Sequence, residues 1–248
     1  MTSVFNPELY KGKLILISGG ATGICYGIAK AYLEHGASVY IISRKIDNIN
    51  KAIKTLSEET GNNKVFGSSC DVRDEKQIEQ TVKNIVEKHG EINVLVNGAA
   101  GNFLCPFEQL SPNAFRTVLM IDTVGTFLLS RYTAEHSMKK GGVIINITAN
   151  LHYNGTLMQS HAGTAKAGVD ALTRHMAVEL GPRGIRSVGI CPGAIEGTEG
   201  FDRLSSPDAK KDNSLLTNIL PMQRVGKKSD IANACLFVAS EGASYITG

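Results

Sequence analysis

The stretch that decides the fold is Lys13-Leu-Ile-Leu-Ile-Ser18-Gly-Gly-Ala-Thr-Gly23-Ile-Cys25, an apolar segment followed at once by a glycine-rich turn. Its first half predicts a buried strand, and residues 24–35 have the apolar spacing of a helix. Glycines at such a junction permit a tight turn and let the backbone approach a pyrophosphate, which the helix N-terminus binds. The stretch therefore predicts a dinucleotide site. Its predicted cofactor-binding residues are Gly19, Gly20, Ala21, Thr22, Gly23 and Ile24.

Short apolar runs and longer segments of helical period alternate along the rest of the chain. The runs are nearly continuous in apolar character, which predicts strands buried on both faces, as in a parallel sheet. The alternation predicts an α/β fold, a Rossmann-type doubly wound parallel sheet with helices on both faces. The predicted strands are Lys13–Ser18, Ser38–Ser43, Lys64–Cys70, Ile92–Val96, Gly142–Ile147 and Ile185–Cys191. The predicted helices lie near 24–35, 46–60, 74–89, 111–138 (with a break near 120), 162–181 and 229–240.

Length and composition exclude several classes of protein. The 248 residues include 26 Lys and Arg against 23 Asp and Glu, and this small excess gives no reason to expect nucleic-acid binding. Apolar runs far shorter than the about 20 residues of a membrane span predict that none is present. Five singly spaced cysteines predict reduced thiols, and no metal-binding motif joins them to the histidines. The N-terminus resembles neither a secretory signal nor a mitochondrial leader. The irregular stretch 192–222 predicts an active-site flap.

Polar residues follow three of the predicted strands, at the edge where such sheets bind ligands. Ser43 and Arg44 end the second strand, where a site for NAD usually carries an acid. Donors and positive charge suit the 2′-phosphate of NADP(H) instead, although a solvated helix start stays an open alternative. Asp71 can accept from the adenine amino group, and Asn97 follows the fourth strand where the chain passes the ribose and nicotinamide.

Three motifs resemble those of the short-chain dehydrogenase/reductase superfamily over essentially the whole chain. They are Ser18-Gly-x-x-x-Gly23, Asn97-Gly-Ala-Ala100 and Pro192-Gly193. One departure is Cys25, which stands where the superfamily has a third loop glycine. The resemblance implies a single NADP-binding reductase domain over residues 1–248. It also implies further cofactor-binding residues, namely Val72, Lys166, Pro192, Gly193, Ile195 and Thr198.

The catalytic positions of that superfamily are only partly kept. Lys166 is present, but Ala162 and Ala149 stand where the superfamily has Tyr and Ser, and Asp122 replaces the usual Asn. Ketone reduction needs the Tyr as an acid, so ordinary carbonyl chemistry loses its proton donor. Conjugate reduction of an unsaturated thioester needs an oxyanion stabiliser and a later carbon protonation, which a positioned water can provide. Asp122 and Lys166 can hold such a water.

Four segments together resemble the peroxisomal 2,4-dienoyl-CoA reductases: Asn97–Pro106, Asp122, His161–Lys166 and Pro192–Gly200. The resemblance implies NADPH-dependent reduction of 2,4-dienoyl-CoA to 3-enoyl-CoA in the β-oxidation of polyunsaturated fatty acids. It implies a fatty acyl-CoA substrate, a peroxisomal location, and Asp122 and Lys166 as the catalytic pair. It also implies a homotetramer that pairs the long helices 111–138 and 162–181.

Coenzyme A is a polyanion and calls for basic residues near its phosphates. The residues that match the family's substrate positions or lie beside the expected acyl and pantetheine path are Arg44, Arg73, Phe103, Ser111, Pro112, Asn113 and Arg203. A surface or packing role stays open for each of them.

Two other functions fit the sequence. Tyr153 can serve as a displaced acid in an NADPH-dependent carbonyl reductase, or the chain can be a non-catalytic nucleotide-binding protein. His161 is either a donor to the substrate or, as we expect more, a structural histidine. The chain ends at Tyr245-Ile-Thr-Gly248, where the family continues into a final strand, so we expect that strand and the C-terminal tail to be missing.

Overall fold

Six parallel strands form one sheet at the centre of the fold. The computed structural model describes residues 3–198, 201, 217, 218 and 220–248. Within them the strands are β1 Leu14–Ser18, β2 Ser38–Ser43, β3 Val65–Ser69, β4 Ile92–Asn97, β5 Gly142–Ile147 and β6 Ile185–Ile190. Their order in the sheet is β3-β2-β1-β4-β5-β6, so the direction of winding reverses between β1 and β4. Ligands of such sheets bind at the carboxyl ends of the strands beside this reversal.

Helices cover both faces of the sheet, as alternate side chains of β1 show. The helices are α1 Gly23–Glu34, α2 Ile46–Thr60, α3 Glu75–His89, α4 Pro112–Leu119, α5 Gly125–His136, α6 Ser160–Leu180 and α7 Lys228–Ala239. Ile15 and Ile17 belong to one core with α1, α2 and α7, whereas Leu14 and Leu16 belong to a second core with α3, α5 and α6. Successive residues of a strand point to opposite faces, so a strand buried on both sides is apolar throughout.

These observations confirm the predicted fold class. The predicted helix over 111–138 is α4 and α5 joined by a π-helical turn, Met120–Val124, at the expected break. Most of the expected flap over 192–222 lies outside the described residues. None of the helices in the described ranges is long and apolar enough to cross a membrane.

Candidate active site

The glycine-rich turn between β1 and α1 has the geometry of a phosphate-binding loop. Gly19 has φ +72°, and a Cβ there would lie 3.1 Å from the carbonyl oxygen of Gly98. A Cβ on Gly20 would lie 2.6 Å from the side chain of Ile41, and Gly23 has φ +61° with open space around it. Thr22 precedes α1 without capping it through its side chain. The turn therefore brings backbone and an uncapped helix N-terminus to one place, which fits a dinucleotide pyrophosphate.

Cys25 replaces the third glycine of this loop, and Gly98 makes room for it. A Cβ on Gly98 would lie 2.0 Å from Sγ of Cys25, so the thiol fills the space that any side chain at 98 would need. Burial raises the pKa of Cys25 to about 12, although the charge of Lys166 opposes the shift. The thiol is therefore protonated at neutral pH and acts as packing.

The ends of β2 and β3 carry the charged residues predicted for the adenosine end of a cofactor. Asp71 accepts from Arg73 through Nε at 3.0 Å and Nη2 at 2.5 Å. These bonds hold the pKa of Asp71 below its usual range, and Arg44 adds to the effect. Arg44 is exposed, and its carbonyl accepts from Oγ of Ser69 at 2.9 Å. The structure thus brings Arg44, Asp71 and Arg73 together beside Ser43.

Asp122 and Lys166 form a buried ion pair. Nζ of Lys166 lies 3.2 Å from Oδ2 of Asp122 and donates to the carbonyl of Ile147 at 2.9 Å. The backbone N–H of Gly101 donates to Oδ1 of Asp122 at 2.7 Å, and only 1% of Asp122 is exposed. Burial raises the pKa of Asp122, while Lys166 and the Gly101 N–H favour its carboxylate. A carboxyl in this balance can hold or release a proton near an adjacent ligand.

The π-helical turn Met120–Val124 places Asp122 opposite Lys166. Oγ1 of Thr123 donates to the carbonyl of Ala165 at 2.9 Å, which ties the turn to α6. A Cβ on Gly168 would lie 2.8 Å from Cγ2 of Thr123, so α6 needs glycine at this approach. Single π turns within helices are frequent at functional sites because they redirect a side chain.

The phenol of Tyr153 is hydrogen-bonded to a different carboxylate, that of Asp170. Its hydroxyl donates to Oδ2 of Asp170 at 3.1 Å, and His152 contacts the same oxygen at 3.1 Å. The hydrogen bond to Asp170 raises the pKa of Tyr153, whereas an acid in reductase chemistry needs a lowered one. The geometry therefore opposes a role for Tyr153 as a displaced acid.

Asn97 ends β4 inside a chain of buried amides and hydroxyls. Its Nδ2 donates to Oγ of Ser130 and to Oδ1 of Asn146, each at 2.9 Å. Asn146 in turn donates to Thr173 at 2.8 Å. The network fixes the carboxyl ends of β4 and β5, and the predicted contact of Asn97 with a cofactor stays a prediction.

The predicted substrate residues of the described chain are exposed. Ser111 caps α4 by accepting from the N–H of Ala114 at 3.1 Å, with Pro112 in the first turn and Asn113 beside it. Phe103 stacks on His161 with ring centroids 4.2 Å apart. Arg203 lies outside the described residues.

The loops after β4 and before α6 are joined directly. Nδ2 of Asn102 donates to Oε1 of Gln159 at 2.9 Å, and the N–H of Cys105 donates to the carbonyl of Met158 at 2.9 Å. Met158 has φ +62°, a left-handed conformation that is uncommon outside glycine. The two loops therefore form one wall of the site.

The remaining predicted cofactor residues surround the same edge of the sheet. Val72 packs against Gly125, because a Cβ added to Gly125 would lie 2.9 Å from Cγ2 of Val72. Thr198 is buried and donates through Oγ1 to the carbonyl of Ile195 at 2.9 Å. Pro192 and Gly193 follow β6 directly.

Sequence reasoning missed two groups that hold the ion pair. The N–H of Gly101 and the carbonyl of Ile147 are backbone atoms, and no side-chain pattern marks them. Among the described residues, no group of three or more His, Cys, Asp or Glu is placed to hold a metal ion.

Known proteins resemble this chain along nearly its whole length. A family model described as enoyl-(acyl carrier protein) reductase matches residues 19–248. A peroxisomal 2,4-dienoyl-CoA reductase of Rattus norvegicus, described as (3E)-enoyl-CoA-producing, is 45% identical over 99% of this chain and 83% of its own. One of Saccharomyces cerevisiae, with the same description, is 41% identical over 98% of this chain and 83% of its own.

A solved structure has the same fold as this chain. The citronellol catabolism dehydrogenase of Pseudomonas aeruginosa has a TM-score of 0.85 and 32% identity, covering 99% of this chain and 94% of its own. The glycine-rich turn, the strand order and the retained lysine agree with these matches. The chain belongs to the short-chain dehydrogenase/reductase superfamily of nicotinamide-dependent oxidoreductases.

Proposed function

We propose that this chain, as a single reductase domain, reduces 2,4-dienoyl-CoA to 3-enoyl-CoA with NADPH. One observation carries the proposal: Asp122 and Lys166 are paired and buried, while alanines stand at the superfamily's Tyr and Ser positions. A site with this pair and without those hydroxyls suits protonation of carbon better than protonation of an alkoxide. The family model and the relatives support it, since their descriptions name the reduction of enoyl or dienoyl thioesters.

The two residues of the pair act together on one water molecule in this reaction, and Lys166 has a second task. The nicotinamide, when bound, supplies a hydride to the far end of the conjugated system. The resulting negative charge is shared between the thioester oxygen and the carbon chain. Asp122 and Lys166 hold the water that protonates the carbon next to the thioester, and Lys166 also binds the nicotinamide ribose. Burial suits this role, because a raised pKa makes the Asp122 carboxyl a better proton store.

The adenosine end supports NADP(H) as the cofactor. Arg44 extends from the end of β2 with an exposed guanidinium, and no acid occupies 43–45. In the proposal Arg44 and Ser43 bind the 2′-phosphate, and Asp71, fixed by Arg73, accepts from adenine. In the proposal the path between the adenosine and nicotinamide ends of the cofactor follows the remaining predicted residues. These are Gly19–Ile24, Val72, Asn97, Lys166, Pro192, Gly193, Ile195 and Thr198.

The acyl-CoA substrate binds along the exposed residues beside the pair. Phe103 and Ser111–Asn113 border the acyl and pantetheine path, and Arg44, Arg73 and Arg203 serve the phosphates of coenzyme A. The bidentate bonds to Asp71 neutralise much of the charge of Arg73, so Arg44 is the stronger phosphate ligand in this proposal.

A second copy of the chain is the proposed partner of α5 and α6. These helices border a groove of about 560 Å³ lined by Phe127, Leu172, Met176 and Leu180 with Arg131 and Arg183 at its rim. An apolar groove between long helices with a charged border suits isologous helix pairing, and a homotetramer uses such pairs. We also propose a peroxisomal site of action, which is supported by the relatives that are named peroxisomal.

The test measures NADPH oxidation with 2,4-hexadienoyl-CoA beside a 3-ketoacyl-CoA, and identifies the product. In deuterium oxide we expect one deuteron at the carbon next to the thioester of a 3-enoyl product. Asp122→Ala and Lys166→Ala should abolish turnover, while Tyr153→Phe, outside the pair, should retain it. Loss of turnover in Tyr153→Phe together with ketone reduction would establish the carbonyl reductase. Binding of NADPH without turnover of either substrate would establish a non-catalytic protein.

A further inference from the structure

His161 is a buried imidazole that the ion-pair mechanism does not use. It is fully buried in the first turn of α6, and neither ring nitrogen has a hydrogen-bond partner among the residues that the structure describes. A buried polar group without a partner has lost its hydrogen bonds to water, so its presence calls for a reason. Among the histidines that the structure describes, His161 has both ring nitrogens buried and without a partner.

The imidazole is held in its neutral form beside the reacting pair. Burial lowers the pKa of His161, although the nearby backbone of Phe103 and the charge of Asp122 favour protonation. The backbone of Phe103 is near enough to favour the charged ring, but it does not reach the geometry of a hydrogen bond with either ring nitrogen. A helix N-terminus also disfavours a positive charge in the first turn. A neutral imidazole has one N–H to donate, and it can donate without losing its proton.

The reaction needs a hydrogen-bond donor for the thioester oxygen, and the superfamily's usual side-chain donors are missing from this chain. The enolate formed by hydride addition puts charge on the thioester oxygen, where a preorganised donor is most effective. Ala149 and Ala162 have no hydroxyl, and Lys166 is paired with Asp122 and Ile147. His161 directly precedes Ala162, and its ring is close enough to Asp122 to be affected by that charge, so the imidazole lies near the ion pair.

Phe103 covers this imidazole. The two rings stack at 4.2 Å with 25° between their planes, and 37% of Phe103 is exposed. The bonds Asn102–Gln159 and Cys105–Met158 hold the loop on either side of Phe103 against the segment before α6. Phe103 is exposed and stacks on the imidazole, so its side chain can rotate away from the ring while these two bonds stay in place.

We propose that His161 donates its N–H to the thioester oxygen of the bound acyl-CoA, after the Phe103 ring has moved aside. This inference rests on the proposed function. Hydride addition at C5 shifts the C4–C5 electron pair to C3–C4 and the C2–C3 pair to C1–C2, and the carbonyl pair moves to oxygen. A proton from water then bonds to C2 and the carbonyl reforms. The hydroxide left behind takes a proton from the solvent, so NADP⁺ and 3-enoyl-CoA are the products. His161 keeps its proton throughout and is a catalytic residue through its contact with oxygen.

The kinetic test compares His161→Leu with His161→Gln, which keeps an N–H donor. Removing one oxyanion donor lowers kcat by about 100- to 1000-fold, so we expect that loss in His161→Leu with little change in KM. His161→Gln should recover at least tenfold of it. His89→Leu and His89→Gln, at the opposite edge of the sheet, are matched controls expected to keep full activity. Equal kcat for His161→Leu and wild type would overturn the inference.

A second measurement does not depend on turnover. The ring resonances of His161, assigned by their loss in His161→Gln, are followed by NMR during addition of NADP⁺ and hexanoyl-CoA, which cannot be reduced. We expect a shift of the N–H resonance with hexanoyl-CoA and none with coenzyme A alone. Phe103→Ala should raise the pKa of His161 towards its ordinary value, because the ring becomes hydrated. An unmoved N–H resonance would contradict the contact. Failure of the wild type to reduce hexadienoyl-CoA would refute the proposed function instead.

Discussion

The Sγ atom of Cys25 occupies the space that a side chain at Gly98 would need, with only 2.0 Å to the position of an added Cβ. Cys25 departs from the superfamily motif, and Gly98, 73 positions further along the chain, leaves room for its thiol. The glycine-rich loop therefore keeps its close approach to the end of β4 although its third glycine is missing.

Substitutions at these two positions should be strongly coupled. Gly98→Ala should lower the free energy of unfolding by about 1–3 kcal/mol, because the new methyl group overlaps the thiol. Cys25→Ala in the same chain removes Sγ and leaves Cβ 3.6 Å from the added atom, so stability should be partly restored. Urea unfolding of both single variants and the double variant measures the coupling. Additive losses in the double variant would contradict the packing relation.

The charge and the hydrogen bond of Asp122 can be separated by two substitutions. Asp122→Asn keeps an acceptor for the N–H of Gly101, whereas Asp122→Ala removes it and frees the loop. Both should lower kcat with hexadienoyl-CoA by at least about 100-fold, the lower range for loss of an acid–base group. Only Asp122→Ala should also raise KM, because Phe103 lies on the freed loop. Steady-state kinetics distinguish the two, and retention of kcat in Asp122→Asn would show that charge at 122 is not needed.

The stability of the fold should decline below about pH 6.5, the ordinary pKa of histidine. Burial lowers the pKa of His161 and of His89, so the unfolded chain binds more protons than the folded chain as the pH falls through this range. The stabilising contribution is present above pH 6.5 and is lost below it. The pKa of Asp122 is raised in the folded chain, so protonation of this carboxyl at lower pH increases the free energy of unfolding instead.

The share of His161 in this decline follows from a comparison of slopes. Urea unfolding at pH 7.5, 6.5 and 5.5 should show a shallower fall in His161→Gln than in the wild type. The difference between the two proteins cancels the contribution of His89, whereas the part of the Asp122 contribution that depends on the charge of His161 is counted with His161. Parallel slopes would mean that the imidazole is not desolvated.

Replacement of Arg44 should change the choice of cofactor. Arg44→Glu places a carboxylate where the 2′-phosphate of NADPH is expected, so KM for NADPH should rise about 10- to 100-fold while KM for NADH falls. Arg73→Leu should affect both cofactors alike, because it releases Asp71 beside the adenine. Unchanged KM for NADPH in Arg44→Glu would exclude the proposed phosphate site.

A charge in the groove between α5 and α6 should prevent association. Phe127 is exposed in the described chain and lines the groove, and aromatic anchors dominate the energy of interfaces. Phe127→Glu should shift the molecular mass measured by light scattering from that of the oligomer towards that of one chain. Phe107→Glu, on an exposed turn away from the groove, is the matched control. Identical masses for Phe127→Glu and the wild type would place the interface elsewhere.

The sheet could be read from the sequence because each strand is a nearly continuous apolar run bounded by glycine or polar residues. β2 and β5 have the predicted bounds, and the other strands end within one residue of them. Helix ends agree within two residues, since amphipathic spacing stops at caps and glycines. The ion pair was also predictable, because Asp122 and Lys166 occupy motif positions whose spatial relation the superfamily fixes.

Contacts made by backbone or by distant residues could not be read in this way. The N–H of Gly101 has no sequence signature, and the stacking of Phe103 on His161 depends on the path of two loops. The apolar spacing near 120 indicates a break but cannot specify that the break is a π turn. Arg73 matched a substrate position, yet its guanidinium binds Asp71, because a bidentate partner lies two residues away.

The π turn at Met120–Val124 fixes how many residues the chain must have between α4 and α5. Such a turn contains one residue more than an α turn, and one residue corresponds to a rotation of about 100° around the helix axis. Deleting a residue there would restore a regular helix but rotate α4 relative to α5. Either the carboxylate at 122 would leave Lys166, or Leu128 and Leu129 would leave the second core. The Asp122–Lys166 ion pair and the buried face of α5 are compatible only at this length, so we expect a single deletion here to be more damaging than most substitutions.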